Sequence, residues 1–578
     1  MSQNPSEKGS NQEQTENMYS YNDGPKNEIS QNIVESQAIR RSQGGNDTFN
    51  NKENNNIKDS NNINNINIPS YKEDNNNINN NKFKDYNYNS NFNFRGSLNN
   101  SRTSIIHIES NPSYLWVIFL AFIIIQFAFI IVFGFYYSWD SKFNHPKNKG
   151  NNEPAKLDIK QKYANFQDMT VLILLGFGFL RSFLKHHSWS GITFTFMGAI
   201  FSFEFGLICL ITWNSLIRKD WIDGHYNFNY FFDGLYICAS FVVSFGSYIG
   251  KLSFIQFFIV IIIETLFSTL NYILVRQSLK LIDIGGTLTV HLFGAVFGAA
   301  FSIIYYCNKN ESERINTSIH LGYSHNSMLF ALFGSLIIIP YWCSFNTALV
   351  TGNMKYRGII NTYFAIGGSI IGMFAISFLL NNKKIKVQDL LYASFPGAIV
   401  IGGCCHIIKQ FYLSILFGII ASILCCLIVY IFYTKIDTVK KKYHDTAQIL
   451  FYHGIPAILG GIVSAIFIGN LNNWKNIENF KYKMFIGTFQ NTFENPSDYD
   501  GNINISGKAG AIFGAIFLTI FLGAFSGLLI GFSVKYCNCN MALRYFNDSE
   551  FFDTSENEPF PWSDERVEIK FDDKINQK

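Results

Sequence analysis

Apolar residues concentrate between Ser113 and Tyr536, in repeated runs that contain almost no charge. Each run is about 20 residues long, the length that an α-helix needs to cross roughly 30 Å of hydrocarbon. We therefore predict an all-α, polytopic (multi-pass) membrane protein with twelve transmembrane helices. The predicted helices cover residues 114–137, 166–185, 191–216, 231–249, 253–275, 284–306, 326–349, 358–380, 389–407, 412–433, 448–469 and 508–535.

The two ends of the chain differ from this apolar region. Residues 1–100 contain 29 Asn and only short apolar clusters, so burial there cannot offset the entropy lost on ordering. We predict a disordered, Asn-rich arm over 1–112, a transmembrane domain over 113–536 and a C-terminal tail over 537–578. Codon bias is the favoured explanation of the Asn tracts, and a tether or assembly segment is the alternative.

Composition and charge exclude several classes of protein. The formal net charge is only +4, and the basic residues gather in short loops, so a nucleic-acid partner is not expected. Most of the ten cysteines lie inside apolar runs, where they act as small hydrophobic residues and not as a disulfide framework. Cys404, Cys405 and His406 are consecutive, which is poor geometry for one metal ion, so neither a metal nor a cofactor is predicted. Cys537 and Cys539 follow the last run and are either lipid-modified or solvated thiols.

Loop charges give the expected orientation. The basic loop Lys435–Lys442 should be cytoplasmic by the positive-inside rule, and an even number of spans then places both termini in the cytoplasm. The loops around Lys355 and Lys481 are also basic and argue against this orientation. With both termini inside, the Asn504-Ile505-Ser506 sequon would be external and open to glycosylation.

Two histidines lie well inside apolar runs, where ionisable residues are costly and are candidates for function. Asp283 precedes His291 by eight positions, and Asp445 precedes His453 by the same eight. This repeat divides the chain into two related halves of five helices, with one helix before them and one after. Because five is odd, the halves should be inverted, and the two Asp–His units should meet near the membrane midplane.

The chemistry of such a pair narrows the function. A lone buried histidine is more often structural, but two imidazoles in an apolar channel can share one proton, because desolvation disfavours charging both. The neutral pair offers a donor, an acceptor and an exchangeable proton, which suits a small neutral molecule such as ammonia or a proton relay. Glu204 and Glu264 also lie in spans, and we expect them to be hydrogen-bonded between helices without an assigned role.

Four segments of the apolar region carry a family resemblance: Phe166–Phe183, Ile284–Gly298, Tyr341–Asn346 and His453–Gly461. They resemble the signature sequences of the Rhesus-glycoprotein branch of the ammonium transporter family. The resemblance extends in order over residues 113–536 and implies a homotrimer with one narrow hydrophobic pore per subunit.

The resemblance also implies roles for single residues. His291 and His453 match the twin pore histidines, and Asp283 matches the acidic residue that family members need for ammonium conduction. Asp445 occupies the equivalent place in the second half.

The resemblance places an outer gate at two aromatic positions. Phe345 matches one of the two stacked aromatic residues, and the other falls at Tyr236, where the family usually has Phe. The tyrosine hydroxyl is expected to bind ammonium or to narrow the entrance.

The predicted function is passive transport of ammonia or ammonium across the plasma membrane, with methylammonium and carbon dioxide as further candidate substrates. Cation–π attraction would draw ammonium to the mouth, and loss of a proton would precede the apolar constriction. No enzymatic activity is predicted. The alternatives are a channel for CO2 or another small gas, a non-conducting membrane scaffold, and an ion-coupled carrier. The presence of the twin histidines together with Asp283 favours transport.

Overall fold

The computed structural model describes residues 113–139, 153–219, 224–226, 228–306, 321–350, 353–436, 443–470 and 505–536, together with Asp548 and Phe552. The predicted arm and most of the C-terminal tail lie outside these residues. Asn504 of the sequon and the thiols of Cys537 and Cys539 lie outside them as well.

The described elements are almost entirely helical. The α-helices are α1 Ser113–Tyr136, α2 Glu153–Thr170, α3 Phe177–Leu180, α4 Ser188–Arg218, α5 Phe228–Tyr248, α6 Phe254–Tyr272, α7 Phe293–Tyr306, α8 His325–Thr347, α9 Asn353–Leu380, α10 Val387–Leu391, α11 Phe395–Val400, α12 Phe411–Lys435, α13 Ile455–Gly469 and α14 Ile505–Tyr536. Four π-helical turns interrupt them, π1 Val171–Gly176, π2 Ile273–Ser278, π3 Thr287–Leu292 and π4 Leu450–Gly454, and a 3-10 turn covers Arg181–Phe183. Two short parallel strands, β1 Tyr137–Trp139 and β2 Gly224–Tyr226, pair with each other.

The prediction of an all-α, multi-pass membrane protein is confirmed. Within the part of the chain that the structure describes, 11 helices are long and apolar enough to cross a membrane. They differ in how deeply they lie in the protein: 6% of the span in α1 is buried, against 83% of the span Thr287–Tyr306. The helices that carry the predicted histidines are therefore interior, and α1 lies at the periphery.

The predicted continuous helix over 389–407 is wrong. This segment forms the short helices α10 and α11, and turns cover residues 401–407. Pro396 lies in the first turn of α11, where its missing N–H is tolerated. The segment is apolar because protein surrounds it, and irregular backbone at membrane depth is tolerated only in such a place.

Side chains from neighbouring helices bind the backbone carbonyls that the broken segment leaves unpaired. Asn361 donates to the carbonyls of Cys405 and Ile408, both at 2.8 Å. Asn346 donates to the Ala398 carbonyl at 3.0 Å. These bonds replace the helical ladder, since a buried carbonyl without a donor is costly.

A close approach of backbones holds the interior helices together. A Cβ atom at Gly294 on α7 would lie 2.6 Å from the Ser240 carbonyl oxygen on α5. Only glycine fits there, which agrees with the tight packing expected of membrane helices that associate through small residues.

The C-terminal tail contacts the first turn of α4. The Asp548 carboxylate accepts hydrogen bonds from the backbone N–H groups of Trp189 at 2.7 Å and Ser190 at 3.2 Å. The Phe552 ring lies 6.2 Å from the Trp189 ring. Burial raises the pKa of Asp548 to about 6, although the hydrogen bonds that its carboxylate accepts act in the opposite direction.

Candidate functional site

Asp283 caps the helical turn that carries His291. Its carboxylate accepts hydrogen bonds from the backbone N–H of Leu288 at 3.2 Å and of Thr289 at 2.9 Å, and from the Thr289 hydroxyl at 2.8 Å. Gly286 turns the chain into π3 with a φ of 64°, in the left-handed region that glycine adopts without strain. A carboxylate at a helix N-terminus satisfies unpaired N–H groups and the helix dipole together.

The second half repeats this construction. One oxygen of Asp445 accepts hydrogen bonds from the Leu450 backbone N–H and the Tyr443 hydroxyl, both at 2.9 Å. The turn that follows, π4, carries His453. The eight-residue spacing seen in the sequence is thus the spacing between a capping carboxylate and the histidine on the turn that it caps.

The structure brings the two histidines into direct contact. Their Nδ1 atoms lie 3.3 Å apart, and the ring centroids are separated by 5.3 Å with an interplanar angle of 35°. Both side chains are buried, with exposed fractions of 2% for His291 and 0% for His453. The Nε2 atoms of both rings have no hydrogen-bond partner among the described residues.

This contact fixes the relation between the two tautomers. A hydrogen bond between two neutral imidazoles needs a protonated Nδ1 on one ring and an unprotonated Nδ1 on the other. The donating ring then has an acceptor at Nε2, and the accepting ring has an N–H donor at Nε2. The pair therefore offers one free donor and one free acceptor, and the two roles exchange when the shared proton moves.

Tyr236 and Phe345 lie together beside this pair. Their ring centroids are 4.9 Å apart with planes inclined at 57°, a tilted arrangement and not a parallel stack. The Tyr236 hydroxyl donates a 2.6 Å hydrogen bond to the Phe345 backbone carbonyl. The hydroxyl expected to bind ammonium is therefore already engaged, because a buried O–H group needs a partner. It links the two aromatic residues to each other.

Phe345 and His291 both line an apolar cavity. The two rings are 6.1 Å apart, and Trp342 lies 5.6 Å from the His291 ring. The cavity has room for about one molecule the size of water. The Trp342 Nε1 atom is buried and has no partner among the described residues. The residues lining the cavity are Leu172, Ile173, Phe177, Ala239, Val242, Val243, Val290, His291, Trp342 and Phe345.

Further aromatic side chains lie close to His453. The Phe395 ring meets the His453 ring edge-on at 5.2 Å. Tyr392 and Tyr452 stack with centroids 4.9 Å apart, and the Tyr452 hydroxyl donates to Asp389 at 2.7 Å. The bulky Tyr452 beside His453 is thus anchored by a buried carboxylate.

The intramembrane glutamates lie apart from this site and hydrogen-bond between helices, as expected from the sequence. Glu204 on α4 accepts from Gln126 on α1 at 2.8 Å. Glu264 on α6 accepts from the Tyr248 hydroxyl on α5 at 2.9 Å.

Sequence reasoning missed Trp342, Asp389 and Arg276, which lie close to the residues of the site. Trp342 lies in the segment Tyr341–Asn346, one of the four that carry the family resemblance. Its position three residues before the gate residue Phe345 was the signal that could have identified it. Among the described residues, no group of three or more His, Cys, Asp or Glu side chains could hold a metal ion.

In the described part of the chain, 11 apolar spans together with a buried cavity and a histidine pair form the architecture of a membrane transport protein. The family model described as Ammonium Transporter Family matches residues 117–535, which is more than half of the sequence. The chain belongs to the ammonium transporter family.

Curated relatives agree with the Rhesus resemblance. Ammonium transporter Rh type C of Homo sapiens is 29% identical over 363 residues, covering 62% of this chain and 74% of that protein. Ammonium transporter Rh type A of Bos taurus is 29% identical over 348 residues, covering 59% and 79%.

Solved structures show the same fold. The chain is similar to Rh50 of Nitrosomonas europaea, with a TM-score of 0.53 and 20% identity over 69% of this chain and 93% of that one. It is also similar to Mep2 of Saccharomyces cerevisiae, with a TM-score of 0.50 and 13% identity over 67% and 86%.

Proposed function

We propose that the protein is a passive conductor of ammonia, taken up from ammonium, through a pore that passes Tyr236 and Phe345 and then the His291–His453 pair. The observation that carries this proposal is the apolar cavity lined by Phe345 and His291, together with the His291–His453 pair, whose Nε2 atoms have no protein partner among the described residues. A neutral molecule that both donates and accepts hydrogen bonds complements this pair.

The apolar lining explains why the neutral form would cross. An ammonium ion in such a cavity loses its water and gains little in return, and removing an ion from water costs several kcal/mol even after the protein relaxes. Ammonia avoids this cost and retains hydrogen bonds, since one Nε2 accepts from it and the other donates to its lone pair. The ammonium ion gives its proton to water at the mouth, and the ammonia that crosses takes up a proton from water on the far side, so the substrate is unchanged overall and the activity is transport and not enzymatic.

Asp283 and Asp445 act in this proposal by holding the histidines. Each caps the turn that presents its histidine, so the Nδ1–Nδ1 contact depends on both carboxylates. Asp283 would in addition stabilise a cation at the mouth.

The remaining parts of the proposal follow from the resemblance to the Rhesus branch. We propose a homotrimer with one pore per subunit, placed in the plasma membrane with both termini in the cytoplasm. Methylammonium and carbon dioxide are further candidate substrates. Competition between carbon dioxide and ammonia would reveal whether the two gases share the pore.

The test is stopped-flow measurement of internal pH in liposomes containing the purified protein after an ammonium gradient is imposed. Alkalinisation should be faster than in empty liposomes, and His291→Leu combined with His453→Leu should change the flux while the protein still folds and assembles. His325→Leu, at an exposed position, is the matched control. If the folded wild type matches empty liposomes, the membrane scaffold becomes the better proposal. If the double variant conducts as wild type does, the histidines leave the mechanism.

A further inference from the structure

A buried arginine lies against the aromatic gate. Arg276, in π2, has an exposed fraction of 4%. Its guanidinium carbon lies 5.4 Å from the centroid of the Tyr236 ring, within the range of a cation–π interaction. One of the two proposed gate rings therefore already has a cation over it.

A chain of hydrogen bonds keeps the guanidinium in this position. Nη1 of Arg276 donates to the Tyr272 hydroxyl at 2.8 Å, and that hydroxyl donates to the Asp233 carboxylate at 2.5 Å. The guanidinium carbon is also 4.8 Å from the Tyr272 ring centroid. Asp233 is thus linked to Arg276 through the Tyr272 hydroxyl. This hydroxyl and the rings of Tyr236 and Tyr272 hold the guanidinium group in place.

Contacts with Phe345 also restrain the Tyr236 ring. Phe345 lies 4.9 Å away, and the Tyr236 hydroxyl is bound to the Phe345 carbonyl. The ring cannot turn away from Arg276 without breaking this hydrogen bond. An ammonium ion that approached the same ring face would meet a fixed like charge, which opposes its binding.

We propose that Arg276 is a specificity-determining residue: as a resident cation on the Tyr236 ring, it keeps ammonium off that ring face and makes the mouth select neutral ammonia. The inference rests on the proposed function, and it changes one part of the entry step. The Tyr236 ring no longer attracts ammonium, because Arg276 excludes the ion from the ring face. An ammonium ion at the mouth can then contact only Phe345 and the carboxylate of Asp283.

The experiment measures inhibition of ammonia flux by methylammonium in liposomes containing the full chain, at constant pH and constant ammonia concentration. Methylammonium probes the cation site because it is almost wholly protonated at neutral pH. Arg276→Met keeps the length of the side chain and removes its charge. It should lower the half-inhibitory concentration about tenfold, the effect expected of a partly desolvated cation–π contact that becomes free. Arg276→Lys retains a cation and should behave as wild type.

Two further variants connect the effect to the ring and protect the test against misfolding. Adding Tyr236→Leu to Arg276→Met should abolish the gain in methylammonium sensitivity, because the ring that binds the cation is gone. Tyr272→Phe removes the hydroxyl that positions the guanidinium, and it should give a smaller shift of about threefold even if the Met variant does not fold.

The outcomes separate this inference from the proposed function. A wild type that conducts no faster than empty liposomes refutes the proposed function. A conducting wild type with the same methylammonium sensitivity as Arg276→Met and Tyr272→Phe overturns the role of Arg276 alone. A gain that persists in the Tyr236→Leu double variant also overturns it.

Discussion

Replacing Asp283 or Asp445 by Ala should destabilise the protein to different extents, although the two residues occupy equivalent places. The Asp283 carboxylate accepts from two backbone N–H groups, those of Leu288 and Thr289, and from the Thr289 hydroxyl. Asp445 accepts from one backbone N–H group, that of Leu450, and from the Tyr443 hydroxyl. A hydroxyl can rotate to another acceptor, but a backbone N–H in a capped turn cannot.

The magnitude follows from the N–H groups that lose their acceptor. Each buried donor left unsatisfied costs about 1–3 kcal/mol. The change Asp283→Ala should therefore cost about 2–6 kcal/mol, and Asp445→Ala about 1–3 kcal/mol. The larger cost is a substantial part of a typical folding free energy of about 5–15 kcal/mol. Asp283→Asn keeps one carbonyl oxygen as acceptor and should fall between wild type and the Ala variant.

The assay is thermal unfolding of the purified protein in one detergent, followed by intrinsic fluorescence, together with ammonia flux in liposomes. The expected order of stability is wild type, Asp445→Ala and then Asp283→Ala. Equal stability of the two Ala variants, or the reverse order, would refute the argument from N–H groups. An Asp283→Ala protein with wild-type flux would remove this residue from the proposed mechanism.

Three further predictions concern the gate, the tail and the arm. Tyr236→Phe removes a hydrogen bond worth about 0.5–1.5 kcal/mol, so the gate should open more often and ammonia flux should rise; a lower flux would show that the hydroxyl assists passage. Because the pKa of Asp548 is raised to about 6 in the docked tail, above its value of 3.8 in the free tail, the docked state binds more protons between these values. Docking should therefore strengthen as the pH falls through about 6, and the protection factors for hydrogen exchange at the first turn of α4, which correct for the slower intrinsic exchange at lower pH, should rise; Asp548→Asn should abolish this rise, and protection that falls on acidification would contradict it. Deleting residues 1–100 should leave flux per assembled protein unchanged, and a large loss would support the tether or assembly alternative.

The sequence singled out the two Asp–His units because their signal is local and repeated. An Asp and a His eight positions apart occur twice, and each interval contains a capped turn, so spacing alone identified both units. The interval could not reveal that the rings meet through Nδ1, since this depends on the packing of residues that are 162 positions apart.

The broken segment was missed because hydropathy records composition and not backbone hydrogen bonding. Residues 389–407 are apolar enough for a helix, but their carbonyls bind Asn361 and Asn346 from other helices. Pro396 and the pair Gly402-Gly403 were the available signals. The bond from the Tyr236 hydroxyl to a carbonyl 109 residues away had no sequence signal at all.

Arg276 was overlooked for a related reason. The predicted helix covers residues 253–275 and ends one position before the arginine, so hydropathy left Arg276 outside the span. The structure extends the helical chain through π2 to Ser278 and buries the guanidinium.

The π turns that present the two histidines also set the rotational register of the helices beyond them. A π turn holds about one residue more than an α turn, and one residue corresponds to a rotation of about 100° around a helix axis. The side chains before each π turn are therefore rotated around the helix axis relative to those after it. Removing one residue within Thr287–Leu292 would leave the helix nearly the same length but swing the helix face that carries His291 relative to Gly294. In each half, the direction in which the imidazole points thus depends on the single residue that the π turn adds. The helix face that packs against α5 can therefore change without changing the face that carries the imidazole.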